Sequence, residues 1–458
     1  MRRGDAGIAL KTVRDLIKGL EERGALRKIG DPLSVDYEVA RVLREEEGRR
    51  AVLAERPRLR DSSISEFRVV GGIAASRDFL GLALGVEGRR VGREILRAVE
   101  ERVDPRIVDK SPWDLVVEKP DLRRLPVLRH YSGEPGPYMT GSIVIARDEE
   151  GRYSASFHRM LLVGRRRLTL RAVEGRKLHR LIAESEAAGE PLRVSVVFAP
   201  EVPVILAAAT PEEAFDKLSI AGGLKGSPVE LAPCGDAEAP VTSEIVLEGE
   251  ILPGEREKEG PFYEILGKDV VRMQPVLEVR GLRALERGAL YHAILPGGLE
   301  HSLLMGLPVE PLIERYASKF ARVTGVAMSP AGGGWVEAVI GIEKEADDQP
   351  LTVALAAIYA HKSLKRVIVV DSDVDVYNYL EVMRAVVQRA DPARDYHVLR
   401  GAMSSTLDHS NMRYELIDGK KVLVEGPRSK LVIDATIKGP KELFEKPIIP
   451  PPKEILTD

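Results

Sequence analysis

Three segments carry the residue types best suited to chemistry: Tyr153–Arg159 (YSASFHR), Ser243–Gly249 (SEIVLEG) and Glu259–Glu264 (EGPFYE). They combine one arginine with several spaced carboxylates. A guanidinium can hold a phosphate or a carboxylate through two parallel hydrogen bonds. A carboxyl group that burial or a neighbouring charge keeps protonated can act as a general acid. The segments therefore predict a site that binds an anion and moves a proton.

Each of these residues also has a simpler structural explanation. Glu259 and Glu264 are five residues apart across Gly260-Pro261, so they lie on a turn rather than along a helix. Their charged neighbours suggest an exposed acidic loop, and spacing alone favours that alternative. Arg159 follows a segment too polar for ordinary core, and a surface salt bridge explains it as well as an anion clamp does.

Length and composition indicate an ordered protein of two or three domains. The 458 residues are 44% hydrophobic and 30% charged, with a formal net charge of -3. This composition excludes intrinsic disorder and disfavours nucleic acid as a partner. Cys234 is the only cysteine, which excludes an intrachain disulfide and predicts a cytoplasmic location. The longest apolar run, Val353–Ala360, is far shorter than the roughly 20 residues that span a membrane.

Changes in apolar periodicity along the chain predict an α+β multidomain fold. Short strands and helical spacing predict an N-terminal α/β domain at 1–112, and alternating strands predict a mostly β central domain at 113–300. Apolar residues every three or four positions predict one long linking helix at 301–324. Strands and helices then alternate in a C-terminal α/β domain at 325–458. Within it, the proline-rich segment 446–452 is expected to be extended and to dock on a neighbouring subunit.

Other familiar motifs are incomplete or absent from the sequence. Asp371–Asp375 superficially resembles a calcium loop, but Val376 replaces the glycine at position six and Val382 the glutamate at position twelve. A strand-end acidic turn is the better interpretation. The sequence contains no GxGxxG fingerprint, no GxSxG elbow and no histidine pair at metal-binding helical spacing. A dinucleotide-binding fold is therefore disfavoured.

Taken together, these segments resemble the UbiD family of reversible, non-oxidative decarboxylases, which use prenylated FMN. Family motifs occur in the family order at 140–148, 153–159, 240–249, 259–264, 294–298, 367–375 and 389–395. The resemblance implies an N-terminal α/β domain, a central flavin-reductase-like split β-barrel, a linking helix and a C-terminal α/β domain used in oligomerisation. It also implies a carboxy-lyase that forms a homodimer or higher homo-oligomer and receives its cofactor from a flavin prenyltransferase.

The resemblance implies roles for individual residues. Arg159, Glu259 and Glu264 match the catalytic Arg-Glu-Glu triad of the family, in which Glu264 would donate the proton and Arg159 would orient the substrate carboxylate. Cofactor-contacting positions are matched by Thr140, Ser156, Phe157 and His158. Lys365 matches a contact to the flavin phosphate, with Lys362 as an equally good alternative.

One part of the family pattern is altered in this chain. Family members hold the flavin phosphate through a divalent cation, usually manganese, bound by Asn, His and Glu. Glu244 matches the glutamate, but Ser154 stands at the asparagine position and Lys177 at the histidine position. We therefore expect the Lys177 ammonium to replace part of the metal charge between Glu244 and the phosphate. A shift of two residues would instead offer His179 as a metal ligand.

The charge expected around the site favours a small, doubly anionic acid as substrate over a plain aryl acid. His158, Lys177, His292 and His409 are expected to add positive charge around the site. Among family members, the chain is most similar in appearance to archaeal enzymes that convert trans-anhydromevalonate 5-phosphate to isopentenyl phosphate in a mevalonate pathway of isoprenoid biosynthesis. The alternatives are an aromatic acid decarboxylase of the polyprenyl hydroxybenzoate type and a non-catalytic flavin-binding assembly protein. Retention of the triad argues against the second alternative.

Overall fold

The computed structural model describes residues 12–211 and 214–444, which form two compact units. The first unit contains the described residues up to Leu312, with Pro330–Val336 and Thr406–Ser410. The second contains Ile313–Ser329, Glu337–Ser405 and the described residues from Asn411 onward. The proline-rich segment 446–452 lies outside the described residues.

The helices of the first unit are amphipathic or buried. They are α1 (Val13–Glu22), α2 (Glu38–Glu46), α3 (Arg77–Leu84), α4 (Val91–Glu100), α5 (Lys177–Ala188), α6 (Val202–Ala209), α7 (Lys217–Lys225) and α8 (Leu299–Gly306). A capping box begins α1: the Thr12 hydroxyl accepts from the Asp15 amide, and the Asp15 carboxylate accepts from the Thr12 amide. One face of α1, including Leu16 and Leu20, is buried. The cap and the apolar face together explain why a helix forms here.

The strands of the first unit build two main sheets. They are β1 (Leu26–Ile29), β2 (Leu33–Ser34), β3 (Ala51–Ala54), β4 (Pro57–Arg58), β5 (Arg68–Gly71), β6 (Arg106–Ile107), β7 (Leu115–Glu118), β8 (Tyr138–Met139), β9 (Ser142–Arg147), β10 (Tyr153–Phe157), β11 (Met160–Leu162), β12 (Arg167–Leu170), β13 (Leu192–Phe198), β14 (Glu230–Cys234), β15 (Ala237–Pro240), β16 (Ile245–Glu259), β17 (Phe262–Glu264), β18 (Gly267–Asp269), β19 (Arg272–Ala284) and β20 (Leu290–His292). One sheet has the order β1-β3-β5-β20. The central antiparallel sheet has the order β10-β9-β13-β16-β19-β12-β11-β8, with β7 paired to β19.

Both faces of β9 are buried, and its sequence shows the consequence. Ile143 and Ile145 pack in one hydrophobic core with residues of α6 and α7. Val144 and Ala146 pack in a second core with residues of β12 and β13. Because side chains alternate between the faces of a strand, a strand buried on both faces is apolar throughout. The adjacent β10 ends at Phe157, so the connection to β11 begins at the edge of this packed sheet.

The linking segment differs from its prediction. Instead of one helix at 301–324, α8 ends at Gly306 and a second helix, α9 (Glu310–Ala317), follows. Pro308 lies in the break. A proline has no amide proton, and inside a helix its ring clashes with the carbonyl group four residues earlier. The chain then enters a strand, β21 (Arg322–Met328), before the predicted end of the helix.

The second unit contains a mixed five-stranded sheet of order β21-β22-β23-β27-β24. Its further elements are β22 (Glu337–Glu343), α10 (Gln349–Ala360), β23 (Arg366–Asp371), α11 (Tyr379–Arg389), β24 (Tyr396–Arg400), β25 (Met412–Ile417), β26 (Lys420–Glu425) and β27 (Ser429–Ala435). The parallel strands β22, β23 and β27 form its centre, and β25 pairs with β26 in a separate hairpin. Across residues 12–211 and 214–444, no helix has both the length and the apolar composition needed to cross a membrane.

Candidate active site

Arg159 lies in the turn between β10 and β11, which polar contacts hold in place. His158 Nδ1 is 2.8 Å from the carbonyl oxygen of Arg171, and His158 Nε2 is 2.8 Å from the Ser156 hydroxyl. Because a carbonyl group only accepts, Nδ1 carries the proton and Nε2 accepts from Ser156. Burial lowers the pKa of His158 to about 4, so the ring is neutral at pH 7. The expectation that His158 adds positive charge is therefore wrong.

The Arg159 guanidinium contacts three carboxylates. Nε and Nη2 donate to the two oxygens of Glu259 at 2.9 and 3.0 Å, and Nη1 donates to Glu264 Oε1 at 2.5 Å. Nη2 also donates to Asp269 Oδ2 at 2.8 Å. The side chains of Arg159 and Glu259 are 7% and 0% exposed. The structure thus brings Arg159, Glu259 and Glu264 together in a buried cluster, and the alternative of an exposed acidic loop is wrong.

A sharp turn after β16 places the two glutamates on either side of the guanidinium. Gly260 follows Glu259 with a φ of +91°, and a Cβ atom there would lie 2.8 Å from the carbonyl oxygen of Val270. Both the backbone angle and the close approach require glycine. The Gly260 amide donates to the Tyr138 hydroxyl at 3.0 Å, and that hydroxyl donates to Glu259 Oε1 at 3.1 Å. Strand β8 therefore holds the turn and the first glutamate together.

The cluster contains more carboxylates than guanidinium groups. Arg272 Nη1 contacts Asp269 Oδ1 at 2.5 Å, so two arginines face three acids. Burial alone would raise the pKa of Asp269, but hydrogen bonds from Arg272 and Arg159 outweigh it and hold that pKa below its usual value. Burial alone would lower the pKa of Arg159, but the hydrogen bond and charge of Glu259 keep it above its usual value. The cluster therefore holds one more carboxylate than guanidinium groups.

Two members of this cluster are not predicted by the sequence. Asp269 reaches Arg159 because β17 and β18 form a hairpin that pairs it with Phe262. His301, in the first turn of α8, places Nε2 3.7 Å from Glu264 Oε2. Burial lowers the pKa of His301 despite the opposing charge of Glu264. Gly267, the first residue of β18, is a signal that could have placed Asp269 in a hairpin. No spacing in the sequence relates His301 to Glu264.

Glu244 belongs to a second group of polar residues. It is 2% exposed, and its oxygens accept from Arg14 Nε and Nη2 at 2.5 and 2.7 Å and from the Leu290 amide at 3.0 Å. Lys177 does not pair with Glu244 here, since its Nζ lies 2.9 Å from Asp148 Oδ2. The pairing differs from the expectation: an arginine of α1 neutralises Glu244.

The residues matched to a metal site do not fit a divalent cation. Ser154 is buried in β10, and His179 of α5 interacts electrostatically with Glu186. Within the described ranges, no group of three or more His, Cys, Asp or Glu side chains could hold a metal ion. One hydroxyl and the Glu244 carboxylate, which a guanidinium already binds, are a poor donor set for manganese. We therefore assign no chemistry to a metal.

The other predicted cofactor residues lie in different places. Ser156, Phe157 and His158 are adjacent at the end of β10. Thr140 precedes β9, and its Oγ1 accepts from a backbone amide at 3.1 Å. Lys365 belongs to the second unit, immediately before β23. The structure thus groups the first three residues, whereas Lys365 is part of a different unit.

Family models described as 3-octaprenyl-4-hydroxybenzoate carboxy-lyase match the chain in three parts: the N-terminal domain at 17–99, the Rift-related domain at 106–299 and the C-terminal domain at 302–435. The anhydromevalonate phosphate decarboxylase of Methanosarcina mazei is 34% identical over 443 residues, which cover 96% of this chain and 99% of that relative. The anhydromevalonate phosphate decarboxylase of Aeropyrum pernix is 35% identical over 430 residues, which cover 92% of each.

Solved structures agree with these sequence matches. The UbiD-class enzyme HmfF from Pelotomaculum thermopropionicum, in complex with FMN, has a TM-score of 0.87 at 31% identity and covers 96% of this chain and 97% of that chain. An apo 3,4-dihydroxybenzoic acid decarboxylase from Klebsiella pneumoniae has a TM-score of 0.86 at 24% identity with the same coverage, which supports the fold alone. The predicted α+β multidomain fold, with a flavin-reductase-like central domain, is confirmed. The chain belongs to the UbiD family and is a UbiD-class carboxy-lyase.

Proposed function

We propose that this protein decarboxylates an α,β-unsaturated acid with prenylated FMN, and that its substrate is trans-anhydromevalonate 5-phosphate. The products would be isopentenyl phosphate and carbon dioxide. The buried cluster of Arg159, Glu259 and Glu264 carries the reaction type, because it combines an anion-binding guanidinium with a candidate acid. The substrate is supported by the two relatives with 34% and 35% identity, which are named for this compound.

The residues of the chain would bind the acid and deliver one proton. When bound, prenylated FMN supplies the electron sink for loss of carbon dioxide. Glu264 would protonate the carbon that loses the carboxylate, because its side chain is 14% exposed whereas that of Glu259 is 0% exposed. A proton on Glu264 weakens its ion pair with Arg159, whose Nη1 then becomes available to the substrate carboxylate. Glu259 would hold the guanidinium in position throughout.

The charge of the site does not by itself select a phosphorylated substrate. His158 is neutral, Lys177 faces Asp148, and His292 Nε2 lies 3.1 Å from a Glu300 oxygen. These contacts remove most of the positive charge that the sequence suggests. The substrate proposal therefore depends on the relatives.

The flavin phosphate would be held by side chains and backbone amides without a metal. Lys177 is 8% exposed and is the first residue of α5, whose N-cap, Arg176, makes no side-chain capping bond. Its Nζ lies 2.9 Å from Asp148 Oδ2, and an ammonium has two further donors. A buried ammonium with unused donors at the N-terminus of a helix fits a phosphate. The flavin ring system would lie near Thr140, Ser156 and Phe157. Glu244 and Lys365 would also contact the cofactor.

An aromatic acid decarboxylase is the alternative function. The family description names 3-octaprenyl-4-hydroxybenzoate, an aryl acid, as the substrate. Both functions would use the same cluster around Arg159, because each needs a guanidinium for the carboxylate and an acid for the proton. Substrate tests separate them.

Product analysis after coexpression with a flavin prenyltransferase tests the proposal. The loaded enzyme would be offered trans-anhydromevalonate 5-phosphate, the same acid without phosphate, and an aryl acid. We expect carbon dioxide and isopentenyl phosphate from the first compound, and at least about tenfold slower turnover of the other two. Release of carbon dioxide from the aryl acid alone would contradict the substrate. Release from none of the three would contradict the function.

We also propose that the protein forms a homo-oligomer through the second unit. In the hairpin of β25 and β26, Tyr414 and Leu416 are 62% and 79% exposed. A two-stranded hairpin is only marginally stable alone, so a second copy that covers these side chains would stabilise it. Light scattering should give at least twice the monomer mass, and Leu416→Glu should reduce it. A monomeric wild-type protein would contradict this proposal.

A further inference from the structure

His301 lies beside Glu264 in a geometry that determines which ring nitrogen carries its proton. The Gly297 amide donates to His301 Nδ1 at 3.1 Å. A nitrogen that accepts a hydrogen bond has no proton of its own, so in the neutral ring Nε2 carries it. Nε2 is the atom that lies 3.7 Å from Glu264 Oε2. The protonated ring nitrogen is therefore the one that lies near the glutamate.

The two oxygens of Glu264 face different donors. Oε1 accepts from Arg159 Nη1 at 2.5 Å, and Oε2 faces His301 Nε2 at 3.7 Å. These two side chains are also the charged or titratable groups that act on His301, since Glu264 and Arg159 shift its pKa in opposite directions. Oε1 therefore contacts the guanidinium, and Oε2 is the oxygen that faces the imidazole ring.

Several backbone contacts fix this arrangement. Gly297 has a φ of +67°, and a Cβ atom there would lie 3.1 Å from the carbonyl oxygen of Glu264. Only glycine fits readily at this position, between the backbone of the acid and the imidazole ring. On the other side, a Cβ atom at Gly333 would lie 2.9 Å from Cβ of Ile265. The segment that carries Glu264 is therefore confined by close packing.

The start of α8 is fixed as well. The Leu299 amide donates to Glu47 Oε1 at 2.8 Å. The buried Glu300 carboxylate accepts from the amides of Gly72 and Ala74 at 2.7 and 2.8 Å. The residues immediately before His301 are thus tied to two other parts of the first unit, and little reorganisation is needed to keep the ring beside the acid.

We propose that His301 is a positioning residue for Glu264. Its Nε2–H stabilises the carboxylate that forms when Glu264 gives up its proton. This inference rests on the proposed function, in which Glu264 is the proton donor. With Nδ1 committed to Gly297 and Nε2 protonated, the ring cannot take the proton from the acid. As Oε2 gains negative charge during proton transfer, the interaction strengthens, so it favours the transition state more than the bound substrate.

Two substitutions separate hydrogen bonding from bulk. His301→Asn can still accept from Gly297 but is too short to donate to Glu264, and we expect kcat to fall about 10- to 100-fold with KM within about threefold. His301→Gln places an amide N–H near the position of Nε2 and should retain kcat within about fivefold. His397→Asn, in β24 of the second unit, makes the same chemical change elsewhere and should retain full activity. Equal kcat values for wild type and His301→Asn, or equal losses in the Asn and Gln variants, would overturn the inference.

The tautomer can be measured without substrate or cofactor. Solid-state NMR of protein labelled with ¹⁵N-histidine, with His301→Asn to assign the signal, should show a protonated Nε2 and an unprotonated Nδ1 at pH 7. If the proton lies on Nδ1 and the enzyme still decarboxylates its substrate, the inference about His301 is wrong and the proposed function stands. A loaded wild-type enzyme that decarboxylates none of the acids would remove the function and the inference with it.

Discussion

The cluster around Arg159 and the group around Glu244 lie in the same unit but keep their family pattern to different degrees. In the first, the arginine and both glutamates occupy the matched positions, and their side chains contact one another. In the second, the resemblance places Ser154 and Lys177 at positions expected for metal ligands, and Arg14 binds Glu244. One region agrees with the expected family pattern, whereas the other differs from it.

The difference reflects what each region has to do. Transfer of a proton needs an acid at one position, so we expect replacement of Glu264, the proposed donor, to remove the reaction step. Neutralisation of a phosphate needs positive charge and hydrogen-bond donors, which an ammonium, a guanidinium or backbone amides can each supply. We therefore expect substitutions in the first region to have the larger effects.

The largest effect is expected for Glu264→Gln. Glutamine keeps the size of the side chain and its contact with Arg159 but has no acidic proton, so kcat should fall roughly 10²- to 10⁴-fold. Glu257→Gln is the matched control, since Glu257 is a half-exposed residue of β16 whose nearest cation, Arg167, is also partly exposed. The control should keep kcat within about twofold. A Glu264→Gln enzyme with more than a tenth of wild-type kcat would contradict the assigned proton donor.

Comparison of Arg159→Met with Arg14→Met measures how much each arginine contributes to the free energy of unfolding. Arg159→Met leaves Glu259 buried without its cation, and the free energy of unfolding should fall by about 3 to 5 kcal/mol. The Arg14 side chain is 38% exposed, so water can partly replace it beside Glu244, and we expect a loss of about 1 to 2 kcal/mol. Urea unfolding of the cofactor-free proteins, followed by circular dichroism, gives both values. A loss for Arg14→Met that equals or exceeds the loss for Arg159→Met would reverse the comparison.

The neutral ring of His158 predicts a dependence of stability on pH. Its pKa in the folded protein is about 4, below its ordinary value of 6.5. Between these values the unfolded chain binds a proton that the folded protein does not, so the stabilisation is complete above pH 6.5 and is lost as the pH falls towards 4. Between pH 7 and pH 5, wild type should lose about 2 kcal/mol more than His158→Gln. Equal losses in urea unfolding would show that the ring is not held neutral.

The sequence predicts the parts of this site that depend on local pattern. Arg159, Glu259 and Glu264 are predicted together because their short motifs occur in the family order. The run at 142–146 is predicted as a strand, but the structure buries both of its faces rather than one. The contact of His301 with Glu264 could not be predicted, because it depends on how the start of α8 packs against a distant hairpin.

The same limit applies to the partner of Glu244. Arg14 is 230 residues away in sequence, and its neutralisation of Glu244 requires α1 to pack beside the segment that precedes β16. The prediction of one linking helix at 301–324 is also wrong. The apolar spacing continues through Pro308, but the helix is interrupted there.

The smallest effect is expected from removal of divalent cations. Because Arg14 already binds Glu244 through two nitrogens and Lys177 faces Asp148, a metal would have to displace a guanidinium to reach its one carboxylate ligand. The loaded enzyme should therefore contain no stoichiometric manganese, and dialysis against a chelator should change kcat and flavin content by less than about twofold. Lys177→Met should instead reduce flavin content, since it removes the ammonium proposed for the phosphate. The contrary result would be stoichiometric manganese that is lost in Glu244→Gln, with activity that is restored only by added manganese. It would show that a metal displaces Arg14 from Glu244 and that both regions keep the expected family function.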